Sequence, residues 1–153
     1  MTIRPLSIGD LADLRTLAGI ADTEGFRFLS RFVDDLASGR VQLDAPCEFF
    51  VAQVEGDCLI AIGGVTPDPY VDRVGVGRLR HVYVRPSARG TGVGRVLVQH
   101  LEERARPCYS WLQLRTDTDA AARFYERLGY LPIHSESATH RRPLTGGLPA
   151  PAT

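Results

Sequence analysis

The chain has 153 residues, enough for one domain around one core. Hydrophobic residues make up 44% and charged residues 24%, and 18 Lys+Arg balance 18 Asp+Glu, so the formal net charge is zero. That composition is ordinary for a globular protein and lacks the basic excess of a general nucleic-acid or anionic-membrane binder. Three cysteines, Cys47, Cys58 and Cys108, are odd in number and lack metal-ligand spacing. They predict reduced, partly buried thiols rather than a disulfide framework or a metal site. The first residues contain no continuous apolar h-region, and the longest apolar run, near "CLIAIGGV", is too short to span a bilayer. The expectation is a cytoplasmic protein.

In chain order, "IRPLSI" alternates Ile3, Leu6 and Ile8 as a short strand. Leu11, Leu14, Leu17 and Ala18 follow at helical spacing, with Asp10 as the candidate N-cap. Phe28, Leu29, Phe32, Val33 and Leu36 define a second helix, stopped at Gly39. "CEFFVAQVEGDCLIAIGGV" reads as a hairpin turning at "EGDC". "TPDPYVDRVGVG" is loop-like and "RLRHVYV" is a strand ended by Pro86. Val93, Val96, Leu97, His100, Leu101 and Ala105 predict a helix closed by Pro107. A strand "SWLQLRT" and a helix "DAAARFYERLG" come next, the latter with Ala121, Phe124, Tyr125 and Leu128 on one face. "YLPIHSE" and "ATHRRPL" are closing strands. The order β-α-α-β-β-β-α-β-α-β-β predicts an α/β (α+β) fold: a mixed, largely antiparallel sheet of about seven strands with helices on both faces. Residues 1–144 form a single expected domain. Residues 145–153, "TGGLPAPAT", have too little to bury and are expected to be disordered.

The chemistry concentrates in "RPSARGTGVGRVLVQHL". Gly90, Gly92 and Gly94 open the third helix, where orphan N–H groups and the helix dipole favour an anion. A Walker A loop needs a lysine, and the chain has none. A G-x-G-x-x-G fingerprint fails at Arg95 and at Leu97. The spacing that fits is [R/Q]-x-x-G-x-[G/A], on Arg89, Gly92 and Gly94. With "LRHVYV" before it and "FYERLGY" after it, this segment resembles the GNAT superfamily of acyl-CoA-dependent N-acyltransferases. The resemblance covers Arg78 to Leu131, about a third of the chain.

The resemblance implies transfer of an acetyl or short acyl group from acetyl-CoA to a primary amine of a small molecule or peptide, by direct attack in a ternary complex and without a metal. It assigns the pyrophosphate to Arg89, Gly90, Thr91, Gly92, Val93, Gly94 and Arg95. It assigns the pantetheine arm to the backbone of Val82, Tyr83 and Val84, with Val82 N–H near the thioester oxygen. Tyr125 stands where the family places a general acid, beside the cofactor. Thr118 replaces a common Asn that bonds the arm. A family Glu base is replaced by Arg78, which cannot act as a base. His81, Glu24 or a water chain remain as candidates for the base. A strand bulge that the family shares is not visible in the sequence.

The acceptor is expected among the "ADTEGFRF" loop, the "TPDPYVDR" loop and the closing strands. There Glu24, Asp68 and Asp72 would attract a cationic amine, while Phe26 and Tyr70 would line an apolar pocket. His134 and His140 have no constellation around them, and "HRRP" reads as a surface strand end. A non-catalytic acyl-CoA-binding sensor is the alternative that Arg78 motivates. No nucleic-acid or membrane partner is expected, and the family resemblance leaves a homodimer open.

Overall fold

A computed structural model describes residues 1–144, so the tail assigned to 145–153 lies outside the described residues. Among the described residues eight strands run in chain order: β1 (Thr2–Pro5), β2 (Asp44–Ala45), β3 (Glu48–Glu55), β4 (Cys58–Pro67), β5 (Val76–Val84), β6 (Trp111–Leu114), β7 (Leu131–Pro132) and β8 (His140–Pro143). Four α-helices are α1 (Leu11–Thr23), α2 (Phe28–Ala37), α3 (Val93–Ala105) and α4 (Asp119–Arg127). The sheet order is β1-β3-β4-β5-β6-β8-β7, with the two-residue β2 paired to β3. Among these strands β5 and β6 are parallel; the other pairs described are antiparallel.

Alternation along β3 decides the two cores. Phe50 and Ala52 join Leu6, Leu14, Leu17, Leu29, Phe32, Leu36, Ile62 and Tyr83 under α1 and α2. Phe49 and Val51 join Leu79, Leu97, Leu101, Leu112, Tyr125 and Tyr130 on the α3 side. Both faces of β3 and β4 are therefore covered, which is why their sequences read as unbroken apolar runs.

Four local expectations need correction. The first strand stops at Pro5, and Ile8 enters a short 3-10 turn. Asp10 makes no side-chain cap to α1. It pairs with Arg4 at 2.7 and 2.8 Å and accepts from Ser7 N at 2.9 Å. In α3 the buried stripe is Val93, Leu97, Val98, Leu101, Glu102 and Ala105, while Val96 and His100 face outward. The glutamate is accommodated because Tyr130 Oη donates to it at 2.8 Å and Arg142 at 3.1 Å. Finally, Cys47 and Cys108 form a disulfide, with Cα atoms 5.6 Å apart, and only Cys58 is a free thiol. The turn before β3 and the turn after α3 meet in space across 61 residues of sequence, which no local spacing reveals.

Candidate functional site

The site begins with an irregularity in β5. Opposite β4, Tyr83 pairs with Ile62 and Arg80 with Gly64, so His81 and Val82 together oppose Gly63. This extra residue is a β-bulge. Its first residue, His81, has φ +55°, a left-handed conformation uncommon outside glycine. Beyond the bulge Tyr83 turns into the α1–α2 core, while Val82 and Val84 pack toward α3. On the other edge, β5 pairs with β6 only from Val76 to Arg78. β6 ends one residue further on, at Leu114, so on that edge the β5 backbone of 79–84 has no ladder partner among the described residues.

That unpaired edge leads to the glycine turn. A 3-10 turn, Pro86–Ala88, brings the chain round to Arg89, and Thr91 Oγ1 pins it by donating to Ala88 O at 2.6 Å. Gly90 and Gly92 take φ of +78° and +85°, which glycine adopts without a Cβ clash. Nothing lies within 4 Å of where a Cβ would stand at either position. Helix α3 starts at Val93, and its first helical bond runs from Val96 N to Gly92 O. The N–H groups of Val93, Gly94 and Arg95 therefore have no acceptor inside the helix, at its positive end. Gly94 serves a different purpose: a Cβ there would sit 3.1 Å from Phe124, so it lets α4 approach α3. Open backbone donors, free approach over two glycines and the exposed Arg95 fit a pyrophosphate, while the Arg89 side chain is taken up by Glu24 and Val84 O.

Helix α4 packs on the α3 side of the sheet. Tyr125 is buried, edge-on to Phe124 and Tyr130 with ring centroids 5.0 and 5.5 Å away. Burial pushes its phenol well above the ordinary value, so the hydroxyl keeps its proton. Thr118 Oγ1 caps α4 by accepting from Ala121 N at 3.1 Å.

The other face of β5 carries the expected acceptor residues, and here the structure changes the reading. Glu24 is not open to a cationic amine. Arg89 grips it bidentately, 2.7 Å on both oxygens, and Tyr83 Oη donates to it as well. The Arg89 guanidinium, foremost, holds the Glu24 carboxyl below its usual range. Asp68 is fully buried and bound to Arg78 at 3.4 Å, Gln113 at 3.3 Å and the Tyr70 N–H at 2.9 Å. Asp72 lines a separate 490 Å³ cavity beside the Cys47–Cys108 disulfide.

Phe26 contacts Phe28 and Tyr83, with ring centroids 6.1 and 6.5 Å apart, so it does border this face. Tyr70 is largely exposed and lies under the Arg78 guanidinium, 4.8 Å from ring centroid to Cζ. The His81 ring packs on Phe32, Phe28 and Phe50 at 4.7, 6.0 and 6.1 Å. Burial, then the charge of Arg80, pulls its pKa down to about 4. His81 is thus neutral at pH 7 and a weak proton acceptor. His140, which lacked a constellation in sequence, is buried between Thr139 and Glu126, at 2.9 Å from each.

Sequence reasoning did not find the bulge, and no motif marks it: it is a property of the register between β4 and β5. It also did not find the ion pairs that engage Glu24 and Asp68, whose partners lie 65 and 10 residues away. Among the described residues, no group of His, Cys, Asp and Glu could hold a metal ion, and no helix is long and apolar enough to cross a membrane.

A family model described as the Acetyltransferase (GNAT) family matches residues 14–130. Over 94 residues the chain is 31% identical to N-alpha-acetyltransferase RimI of Mycobacterium tuberculosis, covering 58% of this chain and 56% of that protein. It is 33% identical over 89 residues to mycothiol acetyltransferase of Streptomyces avermitilis, covering 56% of this chain and 27% of that protein. The chain thus spans about half, or about a quarter, of the length of these relatives. A crystal structure from Exiguobacterium sp. 255-15, described as an acetyltransferase, superposes with a TM-score of 0.80 at 27% identity, over 93% of this chain and 92% of that one. At 16% identity, yncA of Salmonella typhimurium, solved with acetyl-CoA, shares the fold with a TM-score of 0.74 over 100% of this chain and 99% of that one.

Proposed function

The chain belongs to the GNAT acetyltransferase family, and on that premise we propose that it transfers an acetyl or short acyl group from acetyl-CoA to a primary amine of a small molecule or peptide. The observation that carries this reading is the β5 edge left unpaired beyond Arg78, ending at the open glycine turn of α3. Backbone N–H groups from Gly90 to Arg95 would hold the pyrophosphate, that of Arg89 being given to Pro86 O, and the β5 backbone at 82–84 would hold the pantetheine arm. Val82 N–H would donate to the thioester oxygen as it gains charge. The buried Tyr125, protonated over the working range, would supply a proton to the departing thiolate.

A base is the remaining requirement. His81 at a pKa of about 4 is too weak, and Glu24 is held by Arg89 and Tyr83. We assign deprotonation to a water chain acting on the acceptor. An amine with a pKa of about 8 is already roughly a tenth neutral at pH 7, so a strong base is not required. Residues 1–144 would act as one domain.

The test is release of free thiol from acetyl-CoA across a broad amine panel. Turnover that falls in Tyr125→Phe supports the assignment. Intact acetyl-CoA binding without turnover on any amine would instead favour a non-catalytic acyl-CoA binder, the reading that Arg78 at the family's base position supports.

A further inference from the structure

Resting on the acetyl-transfer reading, we propose that the acceptor carries a carboxylate as well as its amine, and that Arg80 binds that carboxylate.

Arg80 is the last residue before the bulge, at the centre of β5. In the same strand Arg78 stands two residues before it, and His81, the candidate-site histidine, directly follows it. The charges around it are otherwise matched. Arg78 faces Asp68 at 3.4 Å, stacks on Tyr70 and gives a further bond to Ser137 O at 2.7 Å. Glu24 is matched by Arg89. Arg80 is bonded to a neutral group, the Thr66 hydroxyl, at 3.4 Å, and no carboxylate of the described residues reaches ion-pair distance. Asp68 and Glu48 act on it only through the field from farther away.

The guanidinium is also half-buried. Burial, together with Arg78, lowers its pKa. A desolvated cation beside a second cation is costly unless an anion completes it. Arg presents five donors in a planar fork, which suits a carboxylate. The same charge repels a second ammonium group, so this face selects against diamines as well as for carboxylates. Phe26 and Phe28, which border His81 and Tyr83, offer apolar surface to the rest of such a molecule. The acceptor class that fits is therefore an amino acid or a short peptide with a free carboxylate.

The experiment uses product analogues, so it does not depend on turnover. N-acetylalanine, N-acetylleucine and N-acetylaspartate, each with its neutral amide, are titrated calorimetrically into the CoA-loaded full chain. Wild type, Arg80→Gln and Arg80→Lys are compared, and CoA affinity in the same preparations reports that each variant is folded. Wild type is expected to bind at least one carboxylate about 10- to 100-fold more tightly than its amide. Arg80→Gln abolishes that preference, and Arg80→Lys restores part of it. If no carboxylate outbinds its amide, or if Arg80→Gln keeps the preference, the assignment is wrong. The acetyl-transfer reading fails separately, through absent thiol release with CoA still bound, and the binding comparison stands regardless.

Discussion

Replacing Gly92 with glutamate introduces two effects that can be measured apart. The first is backbone strain. Gly92 has φ +85°, and an L-residue held there costs about 1–2 kcal/mol. Space is not the problem, since nothing lies within 4 Å of the new Cβ. For a chain of this size the strain lowers Tm by about 2–8 °C. A carboxylate at the helix N-terminus returns a few tenths of a kcal/mol. The second effect is charge: a carboxylate at the proposed pyrophosphate cradle repels it by about 1–3 kcal/mol, or about 5- to 150-fold in Kd. Gly92→Ala carries the strain without the charge. Isothermal titration with CoA, beside a thermal melt of both variants, separates the effects. The alanine variant is expected within about tenfold of wild-type affinity, with the glutamate variant far weaker. Wild-type affinity in a folded Gly92→Glu protein would refute the placement of the pyrophosphate at this turn.

Three further outcomes are expected. Tyr125→Phe keeps the ring contacts with Phe124 and Tyr130, so its urea midpoint stays near wild type while kcat falls by about 100-fold or more; an unchanged kcat removes Tyr125 as the acid. His81 titrates at 6.5 when unfolded and at about 4 when folded. Between those values the unfolded chain binds more protons, so stability rises with pH, and acidification from 6.5 to 4 costs up to about 3 kcal/mol. His81→Asn, which tolerates the left-handed backbone, should flatten that slope in urea unfolding measured from pH 4 to 7, and an unaltered slope would point to other groups. Reduction of Cys47–Cys108 opens a loop of 61 residues and should lower unfolding free energy by about 2–4 kcal/mol. Alkylation of the native oxidised protein should label Cys58 alone, and three labelled cysteines would show that the bridge is absent.

Much of this fold is readable from neighbours in sequence. The α1 and α2 stripes, the β3–β4 hairpin and the Gly90–Gly92 turn each depend on contacts or conformations within a few residues, which periodicity and glycine placement encode. The same holds for the anion-binding character of the α3 N-terminus, because orphan N–H groups accompany any helix start. Even there, Val98 rather than Val96 faces the core, because the helix begins at Val93 and the sheet it covers sets its rotation.

What tertiary structure alone decided is the electrostatic state of the proposed acceptor face. Glu24 and Asp68 look like free acids in sequence, and Arg80 looks like one arginine among many. Whether a charge is matched depends on which side chains sheet register and loop packing bring within 4 Å, and here the partner of Glu24 is 65 residues away. The bulge at His81 and Val82 arises the same way, from a two-against-one pairing with Gly63. Local sequence therefore determined the open, electropositive helix start at α3. Long-range register and loop packing determined that Glu24 and Asp68 are already paired with arginines, and that Arg80 meets only the Thr66 hydroxyl and no carboxylate among the described residues.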